Sequence, residues 1–138
     1  MKQSQGVLTV QTDGPGLYEF SEDAVNWCLD QDINTGLLTI YIRHTSASLT
    51  IQENADPDVL HDLQAAFDRF APKTGPYLHT AEGPDDMPAH IKSALTQTHL
   101  SIPVDGGRPL LGTWQGLFVF EHRNRPHDRY VVLHLSGE

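Results

Sequence analysis

The stretch Gly36-Leu-Leu-Thr-Ile-Tyr-Ile42 gives the strongest strand signal in the chain and sets the expected fold. It is rich in branched and aromatic side chains, which suit the pleated and half-buried surface of a sheet. It is also nearly apolar throughout, so we expect this strand to lie near the centre of a sheet.

The segments before this strand predict two further strands and a helix. An alternating run at 5–11 and a second strand at 17–20 flank Asp13-Gly-Pro-Gly16, a strong turn signal. Ser21 and the two acids after it begin a short helix, because a serine hydroxyl can accept from the free amides of a first turn. The apolar stripe of this helix includes Cys28, which we expect in the core rather than in a reactive site.

The segments after the central strand alternate strand and helix. A strand is predicted at 49–53, and Asp56-Pro57 is typical of a capped helix start. Apolar residues then recur at helical spacing until Pro72. Another helix is predicted to begin near Asp85 or Asp86 and to run to about His99.

The C-terminal third is predicted to be a β-meander with strands at 101–104, 109–112, 113–121 and 129–135. Strands outnumber helices and come in consecutive runs. This order indicates an α+β protein, with a mostly antiparallel sheet or β-sandwich and two or three short helices. The length of 138 residues fits a single domain, 1–138.

Composition excludes several classes of function. No apolar run approaches about 18 residues, so we expect no membrane-spanning helix. The start lacks the apolar segment of a signal peptide and the chain has one cysteine, which favours a cytoplasmic location. A net charge of −9 argues against nucleic acid and anionic membranes as partners, because phosphate contacts need basic side chains.

The segment from Tyr77 to His90 predicts a divalent-metal or acid/base site. Two imidazoles and three carboxylates occur in fourteen residues: His79, Glu82, Asp85, Asp86 and His90. Neutral imidazole and carboxylate are the usual metal ligands and proton carriers at neutral pH. Asp86 lies four residues before His90, so on a helix the carboxylate could orient the imidazole or bind the same ion. If Asp86 instead caps the helix, that role is lost.

Other candidates lie at strand ends. His44 ends the central strand, and the hydroxyls of Thr45 and Ser46 after it could bind a substrate oxygen or bond locally. Glu121 ends an apolar strand and is a candidate general base. Four of the nine basic residues lie near the C-terminus and could hold a phosphate or be solvated: Arg108, Arg123, Arg125 and Arg129.

Three segments in register resemble the YjbQ-type family, described as secondary thiamine-phosphate synthases. They are His44-Thr-Ser-Ala-Ser-Leu-Thr-Ile-Gln-Glu-Asn-Ala-Asp-Pro-Asp58, Tyr77-Leu-His-Thr-Ala-Glu-Gly-Pro-Asp-Asp-Met-Pro-Ala-His-Ile-Lys92 and Leu111-Gly-Thr-Trp-Gln-Gly116. The resemblance implies a sandwich-like fold, a homotrimer, a pocket of histidines and acids, and a weak joining of an aminopyrimidine diphosphate to a thiazole phosphate. The chain departs from the family at 123–129, where a shorter hairpin is expected.

The motifs and the family resemblance together predict one set of roles. Catalytic roles are expected for His44, Asp86 and Glu121, and metal ligation for His44, His79 and His90, whose rings should converge. Substrate contacts are expected for Thr45, Ser46, Asn54, Trp114 and Arg129. The indole of Trp114 suits stacking on a pyrimidine, although a core or trimer contact suits it equally.

Three functions stay open from the sequence. The first is a metal-assisted transferase acting on a phosphorylated small molecule, the second a non-catalytic metal- or ligand-binding trimer, and the third a hydrolase whose base is His44 or Glu121. Oxygen ligands favour magnesium, whereas two imidazoles favour zinc or another transition metal. The expected cofactor is therefore a divalent ion, zinc or magnesium.

Overall fold

Two antiparallel sheets and three helices form the computed structural model of the chain, which describes residues 1–138. The elements are β1 (Lys2–Asp13), β2 (Gly16–Glu19), α1 (Ser21–Leu29), β3 (Gly36–Ile42), β4 (Ala47–Glu53), α2 (Pro57–Phe70), α3 (Asp86–Leu95), β5 (His99–Asp105), β6 (Arg108–Pro109), β7 (Gln115–Glu121) and β8 (Pro126–Gly137). The expected α+β fold with mostly antiparallel strands is confirmed.

The first sheet has the strand order β1-β8-β3-β5-β6. Strand β3 pairs with β8 on one side and β5 on the other, so the predicted central position is confirmed. Its side chains alternate: Leu38, Ile40 and Ile42 are buried, whereas Leu37 and Tyr41 are exposed on the other face. The strand therefore joins the core through one face only.

The second sheet has the order β2-β7-β4, and its central strand β7 is buried from Gly116 through Glu121. Strands β4 and β7 form an antiparallel ribbon in which Ala47 pairs with Glu121 and Glu53 pairs with Gln115. We call these the Glu121 end and the Gln115 end. Six residues of strand separate them, which is about 20 Å.

A single core cluster of 16 buried side chains joins the two sheets and α1. Leu38 and Ile40 of β3 belong to it together with Leu49 of β4 and Val119 of β7, so the sheets pack face to face through these residues. Cys28 is fully buried in this cluster, as predicted, and burial raises the pKa of its thiol to about 11. A thiol in that state is a packing residue.

The helix termini follow the sequence signals with two exceptions. Asp56 caps α2 as predicted, because its Oδ1 accepts from the Asp58 amide at 2.9 Å. Helix α1 begins at Ser21, but the hydroxyl of Ser21 accepts from the Leu117 amide of β7 instead of capping the helix. Helix α3 ends at Leu95, short of the predicted His99, because His99 begins β5 opposite Tyr41. None of the three helices has the length and apolar content needed to cross a membrane.

Candidate metal and active site

Two imidazoles converge on one carboxylate oxygen at the start of α3. The Nε2 atoms of His79 and His90 lie 2.6 Å and 3.0 Å from Oδ2 of Asp86. The three candidate ligand atoms all lie within 4.8 Å of one another. Asp86 is buried, whereas the His79 and His90 side chains are 40% and 34% exposed. The carboxylate of the cluster is therefore buried, and its two imidazoles are accessible to solvent.

Helix α3 brings Asp86 and His90 onto one face. Asp86 is the first helical residue, one turn before His90, and the preceding Asp85 is the cap position. The carboxylate of Asp86 thus does not cap the helix, and it remains able to orient His90 or to bind the same ion as His90. His79 reaches the cluster from the preceding loop, where Gly83 has a φ of +105° that side-chain-bearing residues rarely adopt.

The hydrogen bond on the far side of His90 fixes the direction of its lone pair. Nδ1 of His90 lies 3.0 Å from the carbonyl oxygen of Thr45, which can only accept. Nδ1 must therefore carry the proton, so in a neutral ring the Nε2 lone pair faces the Asp86 carboxylate. Two acceptors at 3.0 Å repel each other unless a proton or a cation lies between them. This arrangement is typical of the carbonyl–histidine–metal order in metal sites.

Arg123 holds the other side of the carboxylate. Its Nη1 donates to Oδ1 of Asp86 at 2.6 Å, its Nε to Oδ2 of Asp85 at 2.9 Å, and its Nη2 to the carbonyl of Glu82 at 3.1 Å. Burial alone would raise the pKa of Asp86, but the His79 hydrogen bond and the Arg123 charge outweigh it and hold that pKa below its usual value. Asp86 is therefore an ionised carboxylate in a fixed orientation.

A second buried ion pair, between Glu121 and Arg129, adjoins this cluster. Arg129 donates Nε and Nη2 to the two oxygens of Glu121 at 2.7 Å and 2.6 Å. Glu121 also accepts from the Thr12 hydroxyl and from the amides of His122 and Arg123. Its side chain is 0% exposed. Although burial raises the pKa of Glu121, these hydrogen bonds, led by that from Arg129, lower it below its usual value.

This environment argues against two expected roles, the general base at Glu121 and the substrate contact of Arg129. A general base needs access to the proton it removes, and Glu121 is enclosed with every lone pair engaged. The guanidinium of Arg129 donates hydrogen bonds to Glu121 and, at 3.1 Å, to Oγ of Ser46. Few N–H donors of Arg129 therefore remain to bind a substrate phosphate. The pair fixes the end of β7.

His44 bonds to residues outside the cluster of His79, Asp86 and His90. Its Nε2 accepts from the Tyr130 amide at 2.9 Å, and its Nδ1 lies 3.3 Å from Nη1 of Arg129. Burial, reinforced by the charge of Arg129, lowers the pKa of His44. His44 is not part of the three-residue cluster, and Asp86 occupies the third position that we expected for it. The expected convergence of three imidazoles is thus limited to His79 and His90.

Thr45 and Ser46 lie in the loop between β3 and β4, next to His90 and Arg129. The carbonyl of Thr45 contacts His90, and the Oγ of Ser46 accepts from Arg129. An open cleft of about 470 Å³ adjoins them and is lined by Tyr41, Arg43, His44, Thr45 and Ser46. The loop between β3 and β4 therefore connects the cluster to a space large enough for a small molecule.

Asn54 and Trp114 lie at the opposite end of the ribbon. Asn54 follows β4 and donates to Glu19 at 3.0 Å, and Trp114 precedes β7 and is 63% exposed. The Gln115 end is about 20 Å from Glu121 along the strand. Within one chain these two residues cannot contact a ligand bound at His79, Asp86 and His90.

Two residues of the site escaped the sequence argument. His122, to which no role was assigned, is buried and lies with Nε2 2.9 Å from the Ser48 hydroxyl. Burial lowers the pKa of His122 to about 3. Arg123, expected either to hold a phosphate or to be solvated, is buried as well. Both directly follow Glu121, whose burial is visible only in the structure, so no pattern in the sequence marks them.

The chain belongs to an established protein family. The sequence model of the family described as "UPF0047 protein YjbQ-like" matches residues 6–138. A UPF0047 protein of Synechocystis is 52% identical over 99% of this chain and 94% of its own length. The UPF0047 protein YjbQ of Escherichia coli is 43% identical over 97% of this chain and 98% of its own.

Solved structures agree with this assignment. A hypothetical protein of Aeropyrum pernix superposes with a TM-score of 0.90 at 29% identity, covering 98% of this chain and 99% of its own. A conserved hypothetical protein of Thermus thermophilus gives 0.82 at 34% identity, covering 93% and 97%. A YbjQ-like protein of unknown function from Sulfolobus solfataricus gives 0.88 at 17% identity over 99% and 100%, a likeness of fold alone. The chain is therefore a member of the YjbQ-like UPF0047 family.

Proposed function

We propose that this protein binds one divalent metal ion through His79, Asp86 and His90 and acts there on a phosphorylated small molecule. The observation that carries the proposal is the pair of Nε2 atoms aimed at a single oxygen of Asp86. Because Nδ1 of His90 donates to the Thr45 carbonyl, the Nε2 lone pair of a neutral His90 faces this carboxylate, and a cation between them would relieve the repulsion.

The donor set fits a transition metal better than magnesium. Two imidazoles and one carboxylate suit zinc, iron or manganese, whereas magnesium prefers oxygen ligands and retained water. Three protein ligands with half-exposed imidazoles match the open coordination of catalytic sites, in contrast to the closed set of four in structural sites. The Thr45 carbonyl and the Arg123 guanidinium supply the outer contacts that orient the ligands.

The activity that this site suits best is the thiamine-phosphate synthase type of transfer. A thiazole nitrogen attacks the methylene carbon of an aminopyrimidine diphosphate, so that a C–N bond forms while the C–O bond to the diphosphate breaks. A bound divalent ion would supply neutralisation of the charge on the departing diphosphate. The hydroxyls of Thr45 and Ser46, beside the cluster, would hold a phosphate oxygen in the cleft.

The state of the candidate bases favours transfer over hydrolysis. The thiazole nitrogen carries no proton to lose, so the transfer needs no general base, whereas hydrolysis needs a base to activate water. The two candidates for that base are both engaged: Glu121 by Arg129 and by three other donors, and His44 by Tyr130 and Arg129. We therefore place the transferase ahead of the hydrolase.

We also propose that the protein is a homotrimer. The outer face of the first sheet exposes large apolar or aromatic side chains at Val7, Leu37, Tyr41 and Tyr130. Val7 and Tyr41 both oppose Val132 of β8 in neighbouring strands, which makes this apolar surface continuous. A second and third copy of the chain would cover it. Sedimentation equilibrium should give three times the chain mass, and a monomer at micromolar concentration would contradict the proposal.

Turnover and metal content measured together test the main proposal. We expect about one equivalent of a transition metal per chain, and synthesis of thiamine phosphate that chelator abolishes and zinc restores. Full turnover in chelator would refute the metal-assisted transfer. Stoichiometric metal without turnover on this substrate pair would support a metal-binding protein without synthase activity.

A further inference from the structure

We infer that the cleft beside the cluster of His79, Asp86 and His90 is a phosphate subsite, and that Arg43 is the cation of this subsite. This inference rests on the proposed function, since it names the chemical group of the substrate that the same site would bind. The cleft is formed by the end of β3 and the loop to β4, and Arg43 and the three residues after it line it.

The ion pairs of the protein leave Arg43 as the cation available here. Arg123 donates to Asp85, Asp86 and Glu82, and Arg129 donates to Glu121, so both guanidinium groups near the cluster are occupied. The side chain of Arg43 makes no ion pair and no hydrogen bond, and the residue is exposed. In a chain of net charge −9, an unpaired guanidinium offers one of few places where an anion is attracted.

Two hydroxyl groups complete the subsite. The hydroxyl of Thr45 makes no hydrogen bond within the chain and the residue is exposed. The Oγ of Ser46 accepts from Nη2 of Arg129 at 3.1 Å, so its own proton is free to donate into the cleft. One guanidinium and two hydroxyl donors within four residues suit the three oxygens of a phosphate group.

The subsite and the metal cluster share a residue. Thr45 lines the cleft, and its carbonyl oxygen lies 3.0 Å from Nδ1 of His90. A phosphate held by Arg43 and Thr45 would therefore lie next to the cluster, where a diphosphate could contact both. The other unpaired arginines, Arg69, Arg108 and Arg125, do not line this cleft.

Titration with inorganic diphosphate tests the subsite. Calorimetry should be run on the wild type, Arg43→Ala and the matched control Arg125→Ala, first in chelator and then with one equivalent of zinc. We expect Arg43→Ala to weaken diphosphate binding about 10-fold or more in both states, as for the loss of a charged hydrogen-bond donor. Its zinc affinity should be unchanged. Arg125→Ala should match the wild type in both ligands.

The two zinc states separate failure of the subsite from failure of the metal site. Diphosphate binding that is equal in Arg43→Ala and wild type, or absent from the wild type in both states, would overturn the subsite even if zinc binds. Loss of diphosphate affinity in Arg43→Ala without any zinc binding would support the subsite and overturn the metal site. Because Arg43 is exposed, thermal unfolding of the variant should match the wild type, and Arg43→Lys should recover part of the affinity.

Discussion

The two ends of the β4–β7 ribbon are built from similar residue types but in different ways. At the Glu121 end the polar side chains are enclosed and bond to one another, as Glu121 does with Arg129 and Thr12. At the Gln115 end Glu53 and Asn54 bond to an exposed neighbour or to a helix terminus, and Trp114 is largely in solvent. The sequence offered site candidates at both ends.

The difference shows what distinguishes a preorganised site from a polar surface. Burying charges is unfavourable unless every charge is paired and every lone pair is used, so a buried polar network fixes the positions of its members. The Glu121–Arg129 pair meets this condition, although Nδ1 of the neighbouring His122 is buried without a partner. The network extends through Arg123 to the cluster of His79, Asp86 and His90. We therefore expect substitutions at the Glu121 end to lower stability or metal affinity, and substitutions at the Gln115 end to be tolerated.

The largest expected effect is the loss of stability in Glu121→Gln. The substitution leaves the Arg129 guanidinium buried without its counter-charge, which typically costs about 3–5 kcal/mol of unfolding free energy. The matched control is Glu53→Gln at the other end of the same ribbon, where an amide oxygen can still accept from Asp56. It should cost less than about 1 kcal/mol. Urea unfolding measures both, and equal costs would remove the distinction between the two ends.

Arg123→Met should weaken metal binding because it releases Oδ1 of Asp86 and the carbonyl of Glu82. Loss of an outer contact of this kind typically costs about 10–100-fold in metal affinity. Arg125→Met, the same change two residues along the bend, should leave the affinity unchanged. Zinc competition with a fluorescent chelator provides the measurement. A Kd for Arg123→Met within twofold of the wild type would show that Asp86 needs no support from the Glu121 end.

Acid should destabilise the protein through His122. The folded pKa of His122 is about 3, below the value of 6.5 for an exposed histidine, so only the unfolded chain takes up this proton as pH falls below about 6.5. The stability that neutral His122 contributes is complete above 6.5. It declines below that value by up to about 1.4 kcal/mol per pH unit.

The contribution of His122 is isolated by comparing variants. In urea unfolding with chelator present, His122→Gln should flatten the decline of stability between about pH 6.5 and 5 relative to the wild type. His99→Gln, at an exposed histidine, should keep the wild-type slope. If the wild type and His122→Gln lose stability in parallel, His122 is protonated in the folded protein. That result would contradict the burial of His122 at the Glu121 end.

The smallest expected effect is that of Trp114→Ala. The indole is exposed and about 20 Å from Glu121 within the chain, so unfolding free energy should change by less than about 0.5 kcal/mol. Diphosphate binding and turnover should also be unchanged. A large loss of turnover without loss of stability would mean that the Gln115 end of a neighbouring copy completes the site, and the two ends would then act together.

The sequence predicted the elements better than the contacts between them. The central position of 36–42 followed from its apolar run, and the shared face of Asp86 and His90 followed from their spacing on a helix. The enclosure of Glu121 depends on Thr12, which is 109 residues away in the chain, and the direction of His44 depends on Tyr130, which is 86 residues away. Such partners are fixed by strand register between distant segments, and neither periodicity nor local spacing carries that information.

Zinc binding to His90→Ala and His134→Ala tests the central claim most directly. His90 is a proposed ligand, whereas His134 lies on the outer face of the first sheet and bonds to Gln5. By calorimetry on chelator-treated protein, the wild type and His134→Ala should bind one zinc ion per chain with equal affinity. His90→Ala should bind at least about 100-fold more weakly with its unfolding midpoint in chelator unchanged. Equal zinc binding by all three proteins would contradict a metal site at His79, Asp86 and His90.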